Sequence, residues 1–177
     1  MDPTRLLEVL FLIGRKLPKV VLELGSGTSS IWIAYALEKD GGRLISVDHK
    51  TEFADRTKSL LHLHDVSHLA EVRLAELRQL NIKGEEFPWY DVDAFRDINE
   101  IDLLLVDGPP GSLGEMARCP ALHVLESRLA PNAVVILDDA DRPDEQGIVR
   151  RWITEVAGLR KEREIFSGLT VLTYCRP

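Results

Sequence analysis

A doubly wound α/β sheet closed by an antiparallel hairpin is the fold class predicted by this 177-residue sequence, and three observations predict it. Strand-like apolar runs alternate with helical patterns from residue 20 to residue 157. The runs at 101–106 and 133–137 are almost uninterrupted, as in parallel strands covered on both faces. The last two strand-like segments, Glu162–Phe166 and Leu169–Tyr174, are separated only by Ser167-Gly168, the spacing of a β-hairpin.

Apolar positions 6, 7, 10, 13 and 17 follow helical spacing, which predicts an amphipathic helix over 4–16 ended by Pro18. Val20–Leu24 reads as a strand, 28–39 as a helix and Gly41-Gly42 as a turn into the strand Arg43–Asp48. A helix over 51–64 and a strand near 70–75 follow, then an irregular stretch through Gly84, Pro88, Trp89 and Tyr90. Ile101–Asp107 is a central strand whose pairing is stopped by Gly108-Pro109-Pro110-Gly111. A helix over about 114–130, the buried strand Ala133–Leu137 and a helix over 144–157 complete the pattern. This length supports one core, so a single domain is expected over 1–177, with 1–17 as an N-terminal helix and 18–175 as the sheet-forming part.

Lys and Arg total 22 against 29 for Asp and Glu, a formal charge of -7 that argues against nucleic acid as the main partner. Cys119 and Cys175 have no CxxC spacing, which excludes a disulfide framework or zinc knuckle and suits a cytoplasmic location. The apolar run Val9–Ile13 is too short to cross a bilayer, so no membrane partner is expected, and no targeting segment is found.

The informative motif is Glu23-Leu24-Gly25-Ser26-Gly27-Thr28-Ser29-Ser30, a strand ending close to an acid, a tight loop and a helix start. Gly25 permits a sharp turn, Gly27 lets a ligand approach main-chain N–H groups, and Thr28 or Ser29 is expected to cap the helix. A dinucleotide fingerprint would place a third glycine at Ser30. A carboxylate at the end of a buried strand is costly unless donors or a cation meet it, so Glu23 points to a cofactor carrying positive charge.

With ELGSGTSS, ISVDHK, LLLVDGPPG, ARCPAL, VVILDDADR and a final GLTVL in order, the chain from about 18 to 175 resembles the class I S-adenosylmethionine-dependent methyltransferases. Within that class it resembles a small O-methyltransferase-like subgroup with VDGPPG and LDDADR strand ends. The resemblance implies a Rossmann-like sheet of seven strands in the order 3-2-1-4-5-7-6, strand 7 antiparallel. It also implies that Glu23, Gly25, Ser26, Gly27, Thr28 and Ser29 surround the methionine part of S-adenosylmethionine, and that Asp48 receives the ribose hydroxyls. His49 would pack near the adenine, Glu76 would stand near its amino group, and Asp107 would border the cofactor.

Asp107, Asp138 and Asp139 fall at the ends of neighbouring strands, beside the crevice where substrate must sit. Three roles stand open for them: ligands of a magnesium-like ion, a metal-free general base, or turn and capping residues. Three close carboxylates need compensation by a cation, by Arg142, or by a retained proton. Phe87, Trp89 and Tyr90 form either a stacking surface or a hydrophobic plug. Arg118 either contacts substrate or is solvated or ion-paired. His64 and His68 have the spacing of a metal pair but no third ligand and are assigned to a solvated helix face, and Cys119 is assigned to packing. The expected activity is methyl transfer to a small-molecule acceptor, at oxygen. The alternatives are a non-catalytic S-adenosylmethionine-binding accessory or sensor protein and a nucleic-acid methyltransferase. With so little lid, a homodimer is expected to close the pocket.

Overall fold

A computed structural model describes residues 1–162 and 168–176 together with the backbone of 163–165. Helix α1 (Pro3–Lys16) begins where Asp2 Oδ1 accepts the Thr4 N–H at 2.8 Å and ends at Leu17, whose φ is 49°. There follow β1 (Val20–Leu24), α2 (Thr28–Glu38), β2 (Arg43–Asp48), α3 (Thr51–Leu63) and β3 (Ala70–Leu74). Then come β4 (Leu77–Ile82), β5 (Glu85–Tyr90), β6 (Ile101–Val106), α4 (Pro120–Leu125), β7 (Leu129–Leu137), α5 (Pro143–Glu155), β8 (Leu159–Ile165) and β9 (Leu169–Tyr174).

The main sheet runs β3-β2-β1-β6-β7-β9-β8, with β9 antiparallel to both neighbours. Without the separate β4–β5 pair, this is the implied order 3-2-1-4-5-7-6. The sheet is covered on both faces because successive side chains of each strand point to opposite sides. Val21, Leu103, Leu105 and Ile136 pack beneath Val9, Leu12 and Ile13 of α1 and Ile33 of α2. Leu22, Leu24, Leu104 and Val135 pack on the other side with Leu122, Ile148 and Trp152 of α4 and α5. The order reverses between β1 and β6, so their carboxyl ends open the crevice in which doubly wound sheets bind ligands.

Two expected segments differ. The stretch expected to be irregular is the hairpin β4–β5, in which Ile82 pairs with Glu85 across Lys83-Gly84, both at positive φ (53° and 93°). Pro88 fits because a two-stranded ribbon leaves one edge of each strand without a ladder. The helix expected over 114–130 shrinks to α4. Positive φ at Gly114 (156°) and Met116 (50°) keeps the preceding chain irregular, Pro120 opens the helix, and β7 already begins at Leu129. Of the expected terminal turn, Gly168 has φ 80°, while Phe166 and Ser167 lie outside the described residues.

Candidate active site

The loop after β1 is built by its own side chains. Gly25 has φ 98°, and a Cβ there would lie 3.2 Å from the backbone of Asp107, so the two strand ends meet at glycine. Asp48, at the end of β2, accepts from Ser26 N–H (3.0 Å) and Ser26 Oγ (2.9 Å) through one oxygen and from Lys50 N–H (3.0 Å) through the other. Gly27, not Thr28 or Ser29, is the N-cap of α2, and its N–H donates to Ser30 Oγ at 3.1 Å. The Ser29 hydroxyl is directed elsewhere, to Glu23.

Glu23 is fully buried beneath the loop. It accepts from Ser29 Oγ (2.5 Å), Ser30 Oγ (2.5 Å) and Ser46 Oγ (2.7 Å). Burial pushes its pKa up, against the three hydroxyl donors that favour the charged form. The donors that a buried carboxylate requires are therefore supplied inside the protein, and Glu23 supports the loop from below without facing the cavity.

The ladders of β6 and β7 continue one residue past each strand, with Asp107 N–H donating to Leu24 O and Asp138 N–H to Val106 O, both at 3.0 Å. This brings Asp107, Asp138 and Asp139 together, one oxygen of each lying within 4.8 Å of the others. Arg5 of α1 donates from one nitrogen to Asp138 (3.0 Å) and Asp139 (2.8 Å). Arg118 is buried and donates to the carbonyls of Asp138 (2.8 Å), Asp107 (3.0 Å) and Pro109 (3.3 Å) and to Asp139 Oδ2 (3.0 Å). Arg142 reaches Asp139 at 2.9 Å. Burial pushes Asp139 up, but the Arg5 hydrogen bond and the charges of Arg118 and Arg142 outweigh it and hold the carboxyl below its usual range. Asp107 behaves oppositely: burial, then the neighbouring charge of Asp138, pushes it up to about 7.

A cavity of about 530 Å³ opens between α1 and this loop. Its walls are Leu6, Leu7 and Leu10 of α1 and Trp32 of α2, and its floor includes Gly25–Ser29 and Asp107. A Cβ at Gly27 would meet nothing within 4 Å, so the loop backbone stays open to a ligand there.

Residues 22–140 match the family described as "Methyltransferase domain". The chain belongs to this methyltransferase family. No curated protein matches its sequence. Among solved structures it is similar to an O-methyltransferase from Bacillus cereus in complex with S-adenosylhomocysteine (18% identity, TM-score 0.75, 98% of this chain and 82% of that one). A second is TomG, an O-methyltransferase of tomaymycin synthesis from Streptomyces achromogenes, in complex with S-adenosylmethionine (21%, 0.71, 99% and 81%). A third is a methyltransferase from Geobacter sulfurreducens (18%, 0.72, 99% and 80%).

In this methyltransferase the remaining predicted residues divide. His49 lies beside Asp48 with its ring 6.3 Å from Tyr90, and burial lowers its pKa. Glu76 is exposed at the rim after β3, where its carbonyl accepts the Asp91 N–H. Phe87, Trp89 and Tyr90 are buried on β5, with Trp89 stacked on Phe95 at 5.4 Å, which makes them the plug. His64 caps the end of α3 and pairs with Tyr35 Oη at 3.1 Å, and His68 stands in a separate turn, so they share no helix face. Cys119 packs in the core, and burial pushes its thiol up to about 11.

Arg118 is ion-paired, one of the expected readings, and it is buried as a strap across two strand ends and not solvated. Arg5 was not singled out from the sequence, although a signal exists. It shares a helical face with Val9 and Leu12, both buried, and a charge on the buried face of an amphipathic helix requires partners.

Among the described residues, no helix is long and apolar enough to cross a membrane.

Proposed function

We propose that this methyltransferase transfers the methyl group of S-adenosylmethionine to a hydroxyl oxygen of a small, uncharged molecule, with Asp107 as general base. The observation that carries the reading is the position of Asp107. It lies against the glycine loop, it lines the apolar cavity, and it is the carboxyl of the three least tied by arginine, with Arg118 Nη2 3.4 Å from its Oδ1. A pKa near 7 suits a group that takes up a proton at neutral pH.

The residues present fit the cofactor. The open backbone at Gly27 and the N-terminus of α2 suit its carboxylate, and Asp48 stands at the β2 end for the ribose. When bound, S-adenosylmethionine supplies an electrophilic methyl carbon on a positively charged sulfur. The chain's part is to hold the acceptor oxygen in line, exclude water with Leu6, Leu10 and Trp32, and receive the hydroxyl proton on Asp107. The new bond is O–CH3, the C–S bond breaks with its electron pair going to sulfur, and the products are a methyl ether and S-adenosylhomocysteine. Leu6, Leu7, Leu10 and Trp32 give the cavity largely apolar walls, which favours an uncharged acceptor.

The test is calorimetric titration with S-adenosylmethionine, S-adenosylhomocysteine and NAD, using wild type and Asp48→Ala, followed by a screen of hydroxylated acceptors. Binding of the first two alone, its loss in the variant, and methyl transfer abolished by Asp107→Asn are expected. Preference for NAD would overturn the cofactor. Binding without turnover would favour a sensor or accessory role, and salt-dependent RNA binding a nucleic-acid substrate.

A further inference from the structure

We infer that this methyltransferase works without a divalent cation, because Arg5 from α1 and Arg118 hold the three carboxylates in the position that such an ion would occupy. The inference rests on the reading of Asp107 as the general base, but its test does not require turnover.

A magnesium-like ion needs carboxylate lone pairs directed at one point, at about 2.1 Å. Here four of the six carboxylate oxygens already face arginine. Arg5 Nη1 bridges Asp138 Oδ1 and Asp139 Oδ1 at 3.0 and 2.8 Å, and Asp138 Oδ1 also accepts the Asp139 N–H at 2.9 Å. Arg118 Nη2 bridges Asp139 Oδ2 at 3.0 Å and Asp107 Oδ1 at 3.4 Å, and Arg142 takes Asp139 Oδ2 at 2.9 Å. Two guanidinium nitrogens thus each join two acids, as a metal would. An added ion would have to displace them and then stand beside their charge.

Neither arginine is placed to withdraw. Arg118 is buried and also donates to three backbone carbonyls, and its other nitrogen lies 3.8 Å from Glu145. Arg5, partly exposed, has Asp141 at 3.6 Å as a further partner, and a Cβ at Gly168 would lie 2.8 Å from its Nη2, so the guanidinium is packed closely on that side. A planar fork with several donors suits this bridging, whereas a lysine would supply a point charge. The arginines take over two tasks of a metal, neutralising the acids and fixing their orientation. They do not polarise the acceptor oxygen as a Lewis acid, so the acceptor proton passes to Asp107. Helix α1 becomes a wall of the active site that brings its own cation.

The decisive experiment titrates the full-length protein with Mn2+ alone and follows water-proton relaxation, with no cofactor or acceptor present. Wild type and Asp138→Asn should be indistinguishable. Mn2+ binding by wild type that is lost in Asp138→Asn overturns the inference. Arg5→Met should acquire an Mn2+ site that the added Asp138→Asn change removes, while Arg5→Lys, which keeps the charge, should not. A folded Arg5→Met protein as silent as wild type would show that Arg5 does not occupy the ion's position. If that variant does not fold, the comparison of wild type with Asp138→Asn decides alone. Once an acceptor is in hand, turnover should survive EDTA unchanged, and a loss restored by Mg2+ would also overturn the inference.

Discussion

The hydroxyl of Tyr90 fills the space that a side chain at Gly108 would need: a Cβ built on Gly108 would overlap it and would also lie 3.2 Å from the Gly25 backbone. The buried end of β5 thereby sets how closely the two ligand-facing loops approach. Tyr90 Oη is itself buried without a hydrogen-bond partner among the described residues. Gly108→Ala should cost about 2 kcal/mol through overpacking. Tyr90→Phe, which removes an unsatisfied group, should add roughly 1 kcal/mol. The double variant should be more stable than the sum of the two changes, because the substitutions share one contact. Urea unfolding of the four proteins checks this, and strict additivity would refute the contact.

Asp107 makes both activity and stability depend on pH. As a base it must be ionised, so kcat/KM should rise with pH and level off above about 7. Stability should run the other way. The folded protein holds a proton on Asp107 that the unfolded chain releases near 3.8, so this contribution is complete below 3.8 and is lost as pH rises through about 7. The difference in urea midpoint between wild type and Asp107→Asn should therefore change between pH 5 and pH 8, and a constant difference would reject the raised pKa.

Glu23 joins β1, β2 and α2 through three serine hydroxyls. Glu23→Ala leaves those donors facing an apolar gap and should cost about 3–5 kcal/mol. Ser46→Ala removes one donor and should cost about 1 kcal/mol. Thermal unfolding separates the two, and titration with S-adenosylhomocysteine should show weaker binding to Glu23→Ala because the loop loses its support.

Trp89 carries the hairpin. It is fully buried between Phe95 and Tyr90, so Trp89→Ala should cost about 3–5 kcal/mol, and Trp89→Phe much less. Amide exchange should accelerate first in β4 and β5, since the pair forms its own two-stranded sheet outside the main ladder. Uniform loss of protection across β1 and β6 would argue against a separable hairpin.

The central strands were legible because β1, β6 and the second half of β7 are buried on both faces and read as apolar runs. The terminal hairpin showed in the spacing of its two strands. The hairpin β4–β5 was hidden because Glu85, Glu86 and Pro88 interrupt the alternation of Phe87 and Trp89, while Lys83-Gly84 carries a turn with only one glycine. The acids of the site were legible at the strand ends, but their compensation was not. Arg5 precedes Asp138 by most of the chain, and only the docking of α1 brings them together. Glu23 was read as pointing to a positively charged cofactor, whereas Ser29 and Ser30 in the following helix were the visible sign that the protein supplies its donors itself.

Of the three tryptophans in the chain, Trp89 and Trp152 are fully buried while Trp32 is half exposed at the cavity wall. The intrinsic fluorescence therefore has one component in contact with water and two without such contact. Selective excitation at the red edge, or quenching by iodide, isolates the emission of Trp32. The molecule thus contains an optical probe of its own cavity mouth, and acceptor candidates can be ranked by how they shield that residue before any methylated product is identified.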